Sequence, residues 1–253
     1  MRNRREKMTD NNPISKIPRH PLDPNIAYGY DLDRALVANL VRERLLLGAI
    51  FRSYVSPEEI AAHATPDVSA GFRQACGHFT HFFLSSEKGM STTLDSGIAV
   101  MRGLGDRRGC SIDTMGEYNG GRSLVDFFPN HDDWLVQKII GLGQYTCNGM
   151  GDYGYHIFHA PAGRTERGYA AKWHTHDDIT SSLTLGGATM ECLPSDVDIT
   201  DANVHPEQYE DRIIRPDIGD AVLIGRMIHR SSHRIPEEGQ FAVITHGPWC
   251  GND

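Results

Sequence analysis

No stretch of this 253-residue chain approaches the roughly eighteen apolar residues in a row that a membrane-spanning helix requires, so no membrane span is expected. The N-terminal MRNRREKMTDNNPISKIPRHPLDPN is basic but has no apolar centre, which argues against a secretory signal and reads as a flexible, Pro-punctuated arm. Cysteine is scarce. The five thiols (Cys76, Cys110, Cys147, Cys192, Cys250) show no CxxC spacing, and an odd, dispersed set excludes a disulfide framework and fits free thiols in a reducing cytoplasm. An excess of positive charge is also missing. A net charge of −8 speaks against a nucleic-acid or anionic-membrane surface, leaving a small molecule as the expected partner. There is no internal repeat and no clear linker. After Arg234 the chain has neither Lys nor Arg, an absence that matters below.

What is present fits an ordinary globular protein, with 39% hydrophobic and 23% charged residues. Such a length can bury one large core, or a core with a smaller helical subdomain. From Asp31 the pattern turns helical: Leu36, Val37, Leu40, Val41 and Leu45 recur at three- and four-residue spacing, with Gly48 as the expected stop. Ser56-Pro57-Glu58-Glu59 reads as a second helix start, with an N-cap serine, proline at the first position and glutamate at the third. Thr65-Pro66 opens an expected third helix with Val68, Phe72, Ala75, Phe79 and Phe83 on one stripe, most simply core packing. Gly97–Met101 is a short strand candidate, residues 103–123 look like loop, and Asn130–Ile140 reads as a short helix ended by Gly141. The glycines between Gly141 and Gly154 lack the Lys-Ser/Thr and the strand-to-helix context of a phosphate loop.

After Tyr153 the texture changes. Short runs rich in β-branched and aromatic residues (YHIFHA, KWHTH, SSLTL, ATMECL, DRIIR, AVLIG, FAVIT) alternate with Gly, Pro and Asp turns, as in an all-β sandwich or barrel. Eight of the thirteen histidines fall in the last hundred residues, so the chemistry is sought there. His174, His176 and Asp178 are two residues apart and share one face of an extended strand. His229 and His233 lie four apart and are co-facial if their strand runs through both. Two strands that aim imidazoles at one side can hold a metal between them. The other histidines have weaker claims: His156 and His159 face opposite ways on a strand, His205 sits in an acidic stretch before Pro206, and His246 is placed at the barrel mouth.

These residues resemble the cupin family, built on a double-stranded β-helix. Gly168, five residues, His174-Thr175-His176, three residues, Thr180, six residues and Gly187 follow its first motif. Gly219-Asp220, then His229, with His233 where Asn is usual, follow its second. The resemblance covers about residues 155–250. Thr180 stands where many cupins carry a metal-binding Glu, and Gly225 replaces a common proline. The resemblance therefore implies a three-histidine site of His174, His176 and His229, as in thiol dioxygenases, with Asp178 behind the ligands. Imidazole suits several first-row metals, and open positions on iron would take O₂ and a chelating substrate. A second register resembles the Fe(II)/2-oxoglutarate oxygenases: His176-x-Asp178 as the first half of a facial triad, His233 in HRIPEEG as the distal histidine. That family places an Arg or Lys beyond the distal histidine to pair with 2-oxoglutarate. Here Arg212, Arg215 or Arg226 would have to substitute from another strand.

The expectation is an α+β fold: an arm (1–27), a mainly helical N-terminal half (28–150) and a cupin-like double-stranded β-helix or jelly roll (151–253), packed as one compact unit. The expected function is a cytoplasmic mononuclear non-haem Fe(II) oxygenase acting on a small molecule. It uses O₂ as co-substrate and a three-histidine site, with 2-oxoglutarate the less favoured co-substrate; a homodimer is compatible with this. The alternatives are a 2-oxoglutarate dioxygenase using His176, Asp178 and His233, a cupin lyase or isomerase using its metal as Lewis acid, and a non-catalytic small-molecule sensor. Tyr153, Tyr155, Tyr169 and Trp173 flank the site, with core packing the simpler role for each.

Overall fold

The computed structural model describes residues 13–63, 79–84, 138, 141–142, 153–160, 172–175, 177, 179–230 and 240–246. The strand candidate Gly97–Met101 and most of Asn130–Ile140 lie outside these residues. Lys138, Gly141 and Leu142 are helical, so the glycine expected to end a helix is itself helical.

Ten strands are described. In chain order they are β1 (Arg19–His20), β2 (Asp23–Gly29), β3 (Gly48–Phe51), β4 (Phe79–Leu84), β5 (Tyr153–Ala160), β6 (Thr180–Gly187), β7 (Glu191–Leu193), β8 (Ala221–Ile224), β9 (Ile228–Arg230) and β10 (Gln240–His246). The α-helices are α1 (Arg34–Arg42), α2 (Pro57–His63) and α3 (Ile199–Val204), with 3-10 turns at Pro13–Lys16 and Pro206–Arg212. One sheet runs β1-β2-β3-β8-β6-β10-β5-β4, and β7 pairs with β9 in a second. Two isolated antiparallel bridges widen the second sheet: His174 to His229 on one side and Cys192 to Ile214 on the other.

Counted along the chain from β5, the barrel segments are β5, the His174 bridge, β6, β7, the Ile214 bridge, β8, β9 and β10. The larger sheet holds the first, eighth, third and sixth side by side; the smaller holds the second, seventh, fourth and fifth. That interleaving of two antiparallel sheets is the double-stranded β-helix that the histidine motifs imply. Ile26, Ile50, Val222 and Ile224 of the larger sheet share a buried cluster with Met190, Cys192, Ile214 and Met227, so the core lies between the sheets.

Among the described residues of the N-terminal half, two stretches depart from the expectation. Residues 13–27, read as an arm from sequence, contain a 3-10 turn, β1 and most of β2, and the parallel pair β2–β3 adds to the larger sheet through β3–β8. The stretch from Phe79, expected on a helical stripe, is β4, paired antiparallel to β5. Phe79 and Phe83 satisfy a helical period of four and a strand period of two alike, and aromatic residues favour strands, so periodicity alone misassigns the segment.

The first two helices begin where their caps dictate. Asp33 accepts from the Leu36 N–H at 3.0 Å. Ser56 Oγ accepts from the Glu59 N–H at 3.2 Å while Glu59 returns a carboxylate to the Ser56 N–H at 2.9 Å, a complete capping box. Helix α1 stops at Arg42, two residues before Arg44 enters the left-handed region at φ 62°, and Gly48 opens β3 rather than ending the helix. At Gly48 a Cβ would lie 2.0 Å from Met227 Sδ and 2.6 Å from Leu223 O, so only glycine lets β3 approach β8 this closely.

The Gly219-Asp220 pair joins these N-terminal strands to the barrel. Gly219 holds φ +89°, and a Cβ there would meet Val55 O at 2.3 Å. Buried Asp220 accepts from the Ser53 N–H (2.8 Å) and the Asp217 N–H (3.0 Å), with Arg52 Nε 3.1 Å from its carboxylate. Its task is structural.

Candidate metal centre

The histidine pair follows from the ladder of the smaller sheet. His174 and His229 exchange both backbone hydrogen bonds, each 3.0 Å, and His229 lies directly opposite Cys192, which in turn faces Ile214. Residues directly opposite in an antiparallel ladder project from the same face. Cys192 and Ile214 belong to the cluster between the sheets, so His174 and His229 turn into the barrel with them. His229 is buried and His174 partly exposed, which places the pair at the barrel's mouth. In backbone register, His246 pairs with Thr180 at the start of β6, and Thr180 pairs with Ile224, four residues before β9 begins.

The imidazole rings stand 4.3 Å apart between centroids, tilted by 53°. Two imidazoles bound side by side through nitrogens about 2.1 Å from one ion have ring centres about 4.5 Å apart, so the observed spacing suits a shared metal. The tautomers agree. His174 Nδ1 lies 2.8 Å from Lys172 O, and His229 Nδ1 lies 2.9 Å from Met227 O. A carbonyl only accepts, so each Nδ1 carries the proton and Nε2 is the nitrogen that a metal would take. Among the described residues no group of three or more His, Cys, Asp or Glu side chains converges. His176, Asp178 and His233 lie outside the described residues. Cys192 shares the inner face, but burial, reinforced by Glu191, pushes its thiol up to about 12, so it does not offer a thiolate.

The three arginines considered as carboxylate partners separate clearly. Arg212 pairs with Asp196 at 2.6 Å, and Arg215 pairs with Glu210 at 2.5 Å and Glu191 at 3.2 Å. Glu191 and Arg215 each adjoin an inward residue, Cys192 and Ile214, so both project from the opposite face of the sheet. Arg226 differs. In the turn between β8 and β9, its Nε and Nη2 lie 3.1 and 2.7 Å from Asp177 Oδ1, beside His176 in the histidine loop, and both side chains keep solvent contact. Arg226 is therefore the one of the three that pairs with the segment following His174.

Sequence reasoning missed the back of this sheet. Trp173 is buried with Leu193, Val197, Ala202, Ile213 and Ile228 beneath α3, in a core role. Arg230, next to His229, is buried against Glu191 at 2.7 Å. An Arg and a Glu separated by 38 residues carry no local signal; the β7–β9 register alone makes them neighbours.

No family model matches the chain, and no curated protein matches it. Among solved structures it is similar to dioxygenase for auxin oxidation 1 from Arabidopsis thaliana in its 2-oxoglutarate binary complex, at 8% identity over 87% of this chain and 91% of that one, TM-score 0.41. It is also similar to a Pseudomonas putida prolyl-4-hydroxylase (12% identity, 84% and 97% covered, TM-score 0.40). A third is a 2OG-Fe(II) oxygenase family protein from Caulobacter crescentus (12% identity, 87% and 85% covered, TM-score 0.46).

Proposed function

We propose that this protein is a mononuclear non-haem Fe(II) oxygenase that takes 2-oxoglutarate as co-substrate and oxidises a small organic molecule. The observation that carries the reading is the inward His174–His229 pair, with its 4.3 Å ring separation and both Nδ1 atoms facing carbonyls. A third ligand from the residues that follow His174 in sequence, Asp178 among them, would complete two histidines and one carboxylate, a set that suits Fe(II) with positions left open. Iron, when bound, supplies the activation of O₂ that protein side chains lack. The chain's own residues do the rest. The two imidazoles fix the ion at the mouth, and the apolar cluster of Ile26, Ile50, Val222, Ile224 and Met227 below it keeps bulk water out. Arg226 presents a guanidinium at the rim, where Asp177 already shows that a carboxylate is accepted. The lack of a basic residue beyond Arg234 thus no longer disfavours 2-oxoglutarate. The balance is 2-oxoglutarate, O₂ and a C–H bond giving succinate, CO₂ and an alcohol.

The three-histidine site without 2-oxoglutarate stands as the second reading, because His174 and His229 both belong to that set whereas the set His176, Asp178 and His233 contains neither. The test is succinate release by protein loaded anaerobically with Fe(II) and exposed to O₂ and 2-oxoglutarate. Succinate should form, and Arg226→Ala should raise the KM for 2-oxoglutarate about 10–100-fold, the loss expected for a charge-assisted contact. O₂ uptake indifferent to 2-oxoglutarate would restore the three-histidine reading. Metal and ligand binding with no O₂ uptake would leave a sensor.

A further inference from the structure

The histidine pair is joined by a single bridge, and among the described residues the strand that carries His174 has no other ladder contact with β9. Two backbone hydrogen bonds are a slender means of fixing ring spacing. The opposite face supplies what the ladder lacks. Trp173 and Arg230 each adjoin one histidine and project away from it. The Arg230 guanidinium lies over the Trp173 ring, 4.0 Å from its centroid. Arg230 donates from Nε to Glu191 Oε2 at 2.7 Å, and its Nη2 also lies 2.7 Å from that oxygen, a cross-strand pair buried on both sides. On the outer edge, Asn203 of α3 takes the place of a neighbouring strand: its Oδ1 accepts from the Trp173 N–H at 2.9 Å and its Nδ2 donates to the Trp173 C=O at 2.9 Å.

Buried ion pairs are poor stabilisers, since apolar residues of similar size often replace them at no loss. The indole N–H of Trp173 is buried without a hydrogen-bond partner, a further cost. A face assembled for stability alone would carry neither feature. What the arrangement achieves is position: α3 holds the strand of His174, Trp173 couples that strand to Arg230, and Glu191 couples Arg230 to β7.

We propose that Trp173, Asn203, Glu191 and Arg230 form a clamp that sets the separation of His174 and His229 and so the affinity and geometry of the metal. They are positioning residues and touch no ligand. The proposal rests on the metal reading above, and its test separates the two. Wild type, Asn203→Ala, and a double variant carrying Glu191→Met and Arg230→Met are compared by Co(II) titration, by the visible spectrum of bound Co(II), and by amide exchange of His174 and His229 in metal-free protein. The double variant should keep its melting temperature, because the buried pair leaves together. Co(II) affinity should fall about 10–100-fold in both variants, with a shifted Co(II) band and lost amide protection at the two histidines, while Ala221–Ile224 stay protected. Unchanged affinity, spectrum and exchange in a folded double variant would overturn the clamp. Lost amide protection together with no Co(II) binding by wild type would uphold the clamp's hold on the pair and overturn the metal reading.

Discussion

The larger sheet continues into N-terminal strands at both edges, through β3 on β8 and β4 on β5, and its strand β8 is buried at every residue. The smaller sheet has two strands of three residues each, widened by single bridges, and its back face adds an ion pair and an asparagine to the apolar cluster beneath α3. Longer strands, up to eight residues in β5 and β6, paired on both sides place stability in the larger sheet. Short strands with polar supports give the smaller sheet its aim. Catalytic scaffolds gain from such a division, because the groups that position a ligand are rarely those that stabilise the fold.

The division is broken most severely at the histidines themselves. On the proposed metal reading, replacing His229 or His174 by Ala removes a ligand rather than a support. Co(II) or Fe(II) affinity should fall by more than the roughly 10–100-fold that follows loss of a group behind a ligand. The chain should still fold, with urea unfolding cooperative and the larger sheet intact by amide exchange. A metal-replete His229→Ala protein would remove the site proposed here.

The converse change falls in the larger sheet. Leu183 is fully buried in β6, opposite Ala221 of β8 and Val243 of β10. Leu183→Ala should lower unfolding free energy by about 2–5 kcal/mol, measured by urea titration. Metal affinity, measured well below the melting temperature, should not change. A parallel loss of both would show that the sheets act as one unit.

The same contrast explains what was legible in the sequence. The runs from YHIFHA to FAVIT all appear as strands or bridges, because each carries β-branched residues between turn formers and reports its own local preference. The cap at Ser56 was legible for that reason too. Gly187 and Gly219, spaced by the two motifs, hold φ values of 73° and 89° that other residues rarely adopt. Helix α3 and the 3-10 turn after it were not anticipated, since ITDANV is too short for a period to register; only Asp198, accepting from the Thr200 and Asp201 N–H groups, hints at a start. The N-terminal strands were missed because β2 and β3 are strands by pairing across the chain: Gly48-Ala49-Ile50-Phe51 has little β character until β8 lies beside it. At the site, the alternation that aligns His174 with the inner face was readable. The three-histidine register also named His229 as its partner, and the bridge sets His174 and His229 side by side, while His233 lies outside the described residues.

The smallest effect expected concerns acid and the far edge of the larger sheet. His20 in β1 accepts the Leu22 N–H through Nδ1 at 3.2 Å and packs edge-on against Tyr28, with ring centres 4.8 Å apart. Burial lowers its pKa below the usual 6.5, with Asp23 opposing in part. An imidazole whose folded pKa is depressed binds fewer protons in the folded than in the unfolded chain through that window. Stability therefore rises with pH there, and is lost as pH falls through about 6.5, levelling off below the folded value. Asparagine keeps an acceptor for the Leu22 N–H without titrating, so His20→Asn should flatten the stability curve between about pH 5 and 7. Metal affinity also falls in acid, because a ligating imidazole must shed its proton, yet that dependence belongs to the smaller sheet and should be identical in His20→Asn and wild type. Urea midpoints and Co(II) titrations across this pH range, on both proteins, read the two effects separately. A metal-binding profile that shifted with His20 would mean that the edge of one sheet and the mouth of the other are coupled, and that the division of labour drawn here is too sharp.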